Sequence, residues 1–148
     1  MSDTTSQQLV VFSLGSEEYA LPIGTVHEII RYSEPRALAS ELPWIRGVIG
    51  LRGKIIPIFD LAARMELEAV ATEFGKIVIV ETGTGQVGVM VDEVEEVLTV
   101  TSDQLEDVPT ASSDSIEAIA KIEDRLVILL NPEGLFARAA AAEDLTAA

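Results

Sequence analysis

The sequence lacks cysteine, has a single histidine and a single tryptophan, and contains no long hydrophobic run. Without cysteine it has no disulfides, no thiolate catalysis and no cysteine metal sites. Its longest apolar runs, such as 55–59 and 126–130, fall far short of the roughly 20 residues that cross a bilayer. The polar residues 1–8 also lack the basic start and apolar centre of a secretory signal. We therefore expect no membrane insertion.

Basic residues are scarce as well. The chain has 10 of them against 25 acidic residues, a net charge of −15. This charge argues against nucleic acids and anionic lipid surfaces as partners, because both repel an acidic protein. Residues 1–64 contain seven acidic and six basic residues, whereas the remainder contains eighteen and four. A chain with one mixed-charge half and one acidic half can orient itself between two different partners.

Short, alternating apolar segments rich in β-branched residues predict about ten strands. Hairpin-length turns, such as 52–53 and 123–124, separate consecutive segments, so most neighbours should pair antiparallel. Asp60 and the Asn131-Pro132 pair are typical of helix starts. Two helices are therefore expected, over residues 61–65 and 133–142, together with a flexible N-terminus (1–8) and a helical or frayed alanine-rich end (137–148).

Two shifted self-alignments indicate an internal duplication. With a shift of 68 residues, related side chains coincide: Val26, Glu28 and Ile29 with Val94, Glu96 and Val97. With a shift of 71, segment 45–60 falls on segment 116–131. A small five-stranded sheet usually closes into a barrel that hides its edges. We therefore predict a mainly β, single-domain fold over 9–136, with two five-stranded barrels that share a core. They should join near 65–75, and strands can be exchanged across that join.

Residues Gly83 to Gly88 match the Gly-x-Gly-x-x-Gly spacing of dinucleotide-binding turns, and Asp103 follows about 20 residues later. Such a site requires a helix after the third glycine, because the helix N-terminus receives the pyrophosphate. Residues 87–91 instead alternate like a strand. A glycine-rich hairpin turn is therefore favoured, no cofactor is expected, and a nucleotide-binding protein is the weaker alternative.

Other polar residues form no recognisable catalytic or metal-binding pattern. The acidic run 92–96 lacks the spacing and central glycine of a calcium loop. It is more typical of a soluble strand surface, with a charge-guided partner contact as the alternative. His27 has no companions for a triad or a metal cluster, and no nucleophile motif is present. Trp44 is expected in the core, with an interface anchor as the alternative. No catalytic residue and no metal site are predicted, so the chain is not expected to be an enzyme.

Arg52 occupies a two-residue turn between apolar strands, where turn chemistry does not demand arginine. The duplication places Glu123 at the matching turn. We therefore expect that the presence of arginine at position 52 serves a purpose other than folding.

Several segments together resemble the CheW family of bacterial chemotaxis coupling proteins, over nearly all of the range 9–136. They are residues 11–15, 26–29, 45–48, 51–53, 56–61, 87–94 and 125–131. The resemblance implies two SH3-like barrels and a non-catalytic, cytoplasmic adaptor between chemoreceptor tips and the regulatory domain of the histidine kinase CheA. It also implies association with membrane-bound receptor arrays through protein contacts alone, and weak self-association there. A twitching-motility or surface-sensing system is the alternative pathway.

The same resemblance implies a set of partner-binding residues: Val26, Glu28, Ile29, Gly47, Arg52 and Val97. We expect Val26 and Ile29 to be exposed and to receive apolar partner side chains, since burying one such residue is worth roughly 1.5 to 3 kcal/mol. Glu28 and Arg52 should orient one another. Because exposed ion pairs contribute little to stability, the value of this pair would lie in positioning.

Overall fold

The computed structural model describes residues 6–37, 45–64, 75–83, 85–107 and 116–135, and these ranges consist mostly of β-strand. The strands are β1 (Ser6–Leu14), β2 (Glu17–Pro22), β3 (Val26–Arg31), β4 (Ile45–Leu51), β5 (Lys54–Asp60), β6 (Lys76–Thr82), β7 (Gly85–Val91), β8 (Glu93–Thr101), β9 (Leu105–Glu106), β10 (Ile116–Ile122) and β11 (Arg125–Leu130). Helix α1 (Leu61–Arg64) follows Asp60 as predicted, and a second helical turn spans 132–135. No helix in the described ranges is long and apolar enough to cross a membrane.

The strands form two sheets, and each sheet closes into a barrel in the same manner. The first has the order β3-β6-β7-β5-β4, and the second has the order β8-β1-β2-β11-β10-β9. In the first, the chain that leaves edge strand β3 returns to pair Arg36 with Val48 of the opposite edge strand, β4. In the second, the chain beyond β8 returns as β9 beside β10. The first barrel is therefore formed by β3 to β7, and the second by strands from both ends of the described chain.

The duplication extends to individual strand pairs. The parallel pair Ile58 and Gly88 of the first barrel corresponds, through the two shifts, to Leu129 and Ala20 of the second. The bridge between Arg36 and Val48 has a counterpart in the second barrel, where Ile119, which the shift of 71 places on Val48, pairs with Glu106. Apart from the two-residue strand β9, each barrel has five strands, as predicted. Strands are also exchanged between the sequence halves, while the predicted join falls almost wholly outside the described residues.

Three apolar clusters show where the core lies. One fills the second barrel around Val11 and Leu129, and another fills the first around Ile58 and Ile77. The third contains buried side chains of both barrels and of the helical turns: Phe12, Leu14, Tyr19, Leu21, Ile45, Phe59, Leu61, Val78, Val80, Val87, Val89, Val91, Leu130 and Leu135. Period-two alternation sends one face of each central strand into its own barrel and the other into this shared core. The predicted shared core is confirmed.

The glycine-rich segment is a hairpin, as predicted. Strands β6 and β7 pair antiparallel with Thr82 opposite Gly85, and a strand, not a helix, follows the fingerprint. Gly88 faces the interior of the first barrel, where an added Cβ would lie 2.6 Å from Ile58 Cδ1 and 2.9 Å from Ile77 Cγ2. Packing therefore explains the third glycine, since its position has no room for a side chain without movement of its neighbours.

The remaining predictions from the sequence concern the two chain ends and Trp44. Residues 6–8, assigned to a flexible N-terminus, begin β1 and pair with residues 99–101 of β8. The expectations for Trp44, for residues 1–5 and for the alanine-rich end at 137–148 fall outside the described residues, as does the predicted helix beyond residue 135.

Candidate protein-docking site

Strand β3 places Glu28 and Ile29 at the edge of the first barrel. Its residues alternate between half-buried and exposed, and Ile29 retains 42% of its surface in contact with solvent. The regular pairing of β3 with β6 is interrupted between Val26 and Glu28. Val26 packs half-buried against the shared core, so its predicted exposure is wrong. The strand alternation turns Val26 inward and leaves Ile29 as the apolar contact residue of this strand.

Arg52 reaches from the β4–β5 turn to Glu28 and binds both of its carboxylate oxygens. Arg52 Nη1 donates to Glu28 Oε1, and Arg52 Nη2 donates to Glu28 Oε2 at 2.8 Å. This bidentate geometry fixes the orientation of both side chains. The hydrogen bonds from Arg52 lower the pKa of Glu28, although slight desolvation opposes them, and they raise the pKa of Arg52. Both groups therefore stay charged near neutral pH, and the expected mutual orientation is present.

The backbone at Arg52 supports a role beyond folding. Arg52 has φ of 51° and Gly53 has φ of 79°, so both lie in the left-handed region. Asparagine and glycine favour such turns, whereas other side chains are strained by the contact of their Cβ with the backbone. The side chain is 67% exposed and contacts Glu28 rather than the core. Arginine is therefore retained at a position where the turn alone would favour a different residue.

The backbone conformation at Gly47 and the strand packed against it require glycine at this position. Its φ is 149°, and an added Cβ would lie 2.1 Å from the carbonyl oxygen of Arg36. The neighbouring residue Val48 exchanges two backbone hydrogen bonds with Arg36, of 2.8 and 3.0 Å, which close the first barrel. The close approach of these strands therefore requires a glycine. A direct role of Gly47 in partner binding stays a prediction.

Val97 lies on the other barrel. It belongs to β8, pairs with Val10 of β1, and is 50% exposed. The structure therefore brings Glu28, Ile29 and Arg52 together on the first barrel and leaves Val97 on a different sheet.

Sequence reasoning missed Ile55, the most exposed large apolar residue among those described, at 67%. It follows the Arg52 turn by three positions and lines two shallow grooves of about 490 and 400 Å³. The first groove also contains Lys54 and Glu81, and the second contains Glu34 and Arg36.

The exposure of Ile55 could have been predicted from the alternation of side chains along β5. Because Ile56 and Ile58 point into the barrel, Ile55 must point outward. We name Glu28, Ile29, Arg52 and Ile55 the first face.

The second barrel carries an ion cluster that the sequence did not reveal. Arg125 donates from Nε and Nη2 to the two carboxylate oxygens of Glu18, each at 3.0 Å, and Nη2 also lies 2.8 Å from Glu96 Oε2. The hydrogen bonds from Arg125 lower the pKa of Glu18 despite partial desolvation, and the carboxylates raise the pKa of Arg125. The cluster joins β2, β8 and β11, so it stabilises the outer surface of the second barrel.

Replacing Glu18 should have an effect that depends on pH. Because the folded-state pKa of Glu18 lies below its ordinary value of 4.5, its ionised form stabilises the fold above that value. The contribution is lost as pH falls through the lowered pKa. At about pH 7, Glu18→Gln should reduce the free energy of unfolding by less than about 1 kcal/mol, as partly exposed pairs do. Urea unfolding at an acidic pH, below 4.5, should show a smaller difference than at neutral pH. An equal difference at both pH values would exclude this linkage.

No group of three or more histidine and acidic side chains in the described ranges could hold a metal ion. The features that the described surface offers are exposed aliphatic side chains beside oriented charges. Such a combination suits contact with another protein.

Comparison with known proteins places the chain in one family. A model of the CheW-like domain matches residues 8–140. A chemotaxis protein CheW from Klebsiella aerogenes is 38% identical over 101 residues, which cover 68% of this chain and 61% of that protein. A probable chemotaxis protein CheW from Rhizobium etli is 33% identical over 135 residues, covering 88% and 87%. The match thus spans less than two thirds of the Klebsiella protein and most of the Rhizobium protein.

A solved structure agrees with the two-barrel fold. The crystal structure of the scaffolding protein TtCheW from Thermoanaerobacter tengcongensis superimposes with a TM-score of 0.79 at 32% sequence identity. The superposition covers 86% of this chain and 90% of the other. The chain belongs to the CheW-like domain family.

Proposed function

We propose that this chain is a non-catalytic adaptor that couples chemoreceptors to the histidine kinase CheA in bacterial chemotaxis. The observation that carries the proposal is the first face. There the exposed Ile29 lies beside Glu28 and Arg52, whose side chains are joined by two hydrogen bonds. Family membership supports the same assignment, since named relatives are chemotaxis proteins and a solved relative is a scaffolding protein.

The first face binds by combining apolar contact with oriented charge. Ile29 and Ile55 would each bury exposed surface against a partner, which supplies affinity. The pair of Glu28 and Arg52 is held in place before the partner arrives, so binding costs less side-chain entropy. Fixed charges beside an apolar contact also penalise partners whose charges do not match. Val26, half-buried against the shared core, helps to hold strand β3 in place.

The partners are the cytoplasmic tip of a chemoreceptor and the regulatory domain of CheA. The adaptor acts in the cytoplasm and reaches the membrane-bound arrays through these protein contacts. The named relatives above are chemotaxis proteins, which favours this pathway over a twitching-motility or surface-sensing system. Gly83 to Gly88, which form a hairpin with a packed third glycine, do not favour a nucleotide-binding function.

Arg52→Ala is expected to weaken binding of receptor fragment or CheA by about three- to tenfold, because the partner loses an oriented guanidinium. The fold should stay intact, since the side chain is exposed and lies in a turn. Glu28→Ala should have a similar effect. The double variant should lose less than the sum of the two single losses, as contacting residues do. Pull-down with each variant and thermal unfolding of the same samples provide the measurements.

Lys121→Ala is a matched control, because Lys121 also forms an exposed ion pair, with Glu106, at 3.3 Å in the second barrel. It should bind the partner that Arg52→Ala weakens as well as the wild type does. Normal binding by a folded Arg52→Ala protein would contradict the proposed role of the first face.

A further inference from the structure

Equivalent hairpin turns of the two barrels each donate a backbone N–H to a carboxylate. In the β1–β2 turn of the second barrel, Gly15 N donates to Asp92 Oδ2 at 2.7 Å. In the β6–β7 turn of the first barrel, Gly83 N donates to Glu133 Oε2 at 3.2 Å. Gly15 and Gly83 correspond through the shift of 68 residues. The same turn position therefore binds a carboxylate in both barrels.

Both contacts run from one barrel to the other. Asp92 is the single residue between β7 of the first barrel and β8 of the second, and its side chain reaches Gly15 of the second. Glu133 lies in the helical turn after β11 of the second barrel, and its side chain reaches Gly83 of the first. The two contacts are therefore reciprocal, and they lie at the two ends of β7. We name these two hydrogen bonds the clamp.

The chain changes sheets abruptly at Asp92. Val91 pairs with Lys76 in the first sheet, whereas Glu93 pairs with Ser13 in the second. Asp92 N also donates to Ser13 O at 3.0 Å. Backbone and side chain of Asp92 are thus both attached to the β1–β2 hairpin, so the end of one barrel is held directly against a turn of the other.

The equivalent crossing, from β2 to β3, has no such side chain. Gly24 corresponds to Asp92 through the shift of 68, and a Cβ added at Gly24 would meet nothing within 4 Å. Asp92 Oδ1, by contrast, is buried and accepts no hydrogen bond within the described chain. Because a buried oxygen without a donor lowers the free energy of unfolding, stability alone would not favour aspartate at this position.

The shared core holds the barrels together, and the clamp adds direction to that contact. Apolar contacts depend on the area buried and have no preferred direction, whereas a hydrogen bond requires a defined angle at donor and acceptor. Leu135, two residues after Glu133, is 2% exposed and belongs to the shared core, so the helical turn is itself anchored. Both hydrogen bonds of the clamp are exposed. Water can therefore replace either carboxylate without unfolding the chain.

We propose that Asp92 and Glu133 are positioning residues that fix the orientation of one barrel relative to the other, and that this fixed orientation transmits receptor control to the kinase. Each residue acts through the hairpin that it holds and contacts no partner. The second part of the inference rests on the proposed function, since control can pass between two bound partners only through a connection that transmits orientation.

A distance measurement tests the orientation without any partner. Because the chain has no cysteine, spin labels attached to Ser33→Cys beside β3 and Thr99→Cys in β8 report one distance between the barrels. Both labelled positions are exposed. Asp92→Ala and Glu133→Ala should each broaden the distribution of distances, and the double variant should broaden it further. Asp92→Asn and Glu133→Gln keep an oxygen acceptor and should retain the wild-type distribution.

Reconstituted kinase control tests the consequence of the clamp. Asp92→Ala and Glu133→Ala should bind the receptor fragment and the CheA regulatory domain within about twofold of the wild type, as substitutions outside an interface do. Both should nevertheless reduce receptor control of CheA autophosphorylation severalfold, and the amide variants should restore it. A merely structural role would not separate binding from control, because partial unfolding lowers both.

Two variants serve as matched controls. Gly24→Ala changes the equivalent crossing, where there is room for a Cβ. Glu17→Ala removes an exposed carboxylate two residues from Gly15 that is not part of the clamp. Both should keep the wild-type distance distribution and full receptor control.

The outcomes separate this inference from the proposed function. If the folded alanine variants keep the wild-type distance distribution and full control, the inference fails and the adaptor function stands. If the wild type transmits no receptor control, the adaptor function fails, and the distances still decide whether the clamp sets the orientation. A broadened distribution with full control would overturn the second part of the inference. Loss of binding by a folded variant would make its residue a partner contact and overturn the positioning role. Should Asp92→Ala not fold, Glu133→Ala, which removes an exposed side chain, provides the same test.

Discussion

Gly47→Ala is expected to lower the free energy of unfolding by about 3 kcal/mol, since overpacking against immobile atoms has costs of this size. The new Cβ would lie 2.1 Å from Arg36 O and 2.7 Å from Arg36 C, both backbone atoms. Arg36 cannot shift freely, because its bridge to Val48 closes the first barrel. The φ of 149° adds strain for any residue with a Cβ. Urea unfolding of purified protein measures the difference.

Gly50→Ala provides the control within the same strand. Gly50 is exposed, and a Cβ added there would meet nothing within 4 Å, so its stability should change by less than about 1 kcal/mol. A loss of coupling by Gly47→Ala would then follow from damage to the barrel. If the variant is as stable as the wild type and yet fails to bind, Gly47 contacts a partner directly and the backbone explanation is wrong.

Ile29→Ser is expected to weaken partner binding by about tenfold or more, because apolar surface at the centre of an interface carries most of its affinity. Ile29 is 42% exposed in the free chain, and this exposed part is what a partner would cover. Stability should change little, since the exposed atoms make few contacts within the barrel. Titration of a receptor fragment and of the CheA regulatory domain, with thermal unfolding in parallel, separates the two effects.

Ile23→Ser is the matched control for Ile29→Ser. Ile23 is 41% exposed, has the same side chain, and lies in the 3-10 turn before β3, outside the first face. It should bind as the wild type does. Equal losses from both substitutions would indicate a general effect of removing isoleucine, and no loss from Ile29→Ser would remove the first face from the interface.

The sequence predicted the strands, the duplication and the shared core because all three depend on local pattern. Alternating apolar residues mark a strand whatever its partner, and the two shifts match because equivalent strands face equivalent surroundings. The hairpin at Gly83 was also predictable, since β-branched alternation after the fingerprint excludes a helix. Arg52 was predictable as a functional candidate because its residue type disagrees with its turn.

The assignment of strands to barrels could not be predicted, because it depends on pairing between distant segments. The parallel pair of β2 and β11 places Glu18 beside Arg125, 107 residues away in sequence. That exchange also places β1 and β2 in the second sheet, beside β11 and β8. Val26 was misjudged because β-branched residues occur on both faces of an edge strand, and one irregularity in pairing determines which side faces inward.

Reconstitution of receptor-controlled kinase activity tests the central claim most directly. Receptor fragments, CheA and this chain are combined, and CheA autophosphorylation is measured with and without the chain and with folded Ile29→Ser or Arg52→Ala. The proposed function predicts that receptors control the kinase only when the wild-type chain is present, and that both variants reduce this control. Full control without the chain, or with both variants, would contradict it.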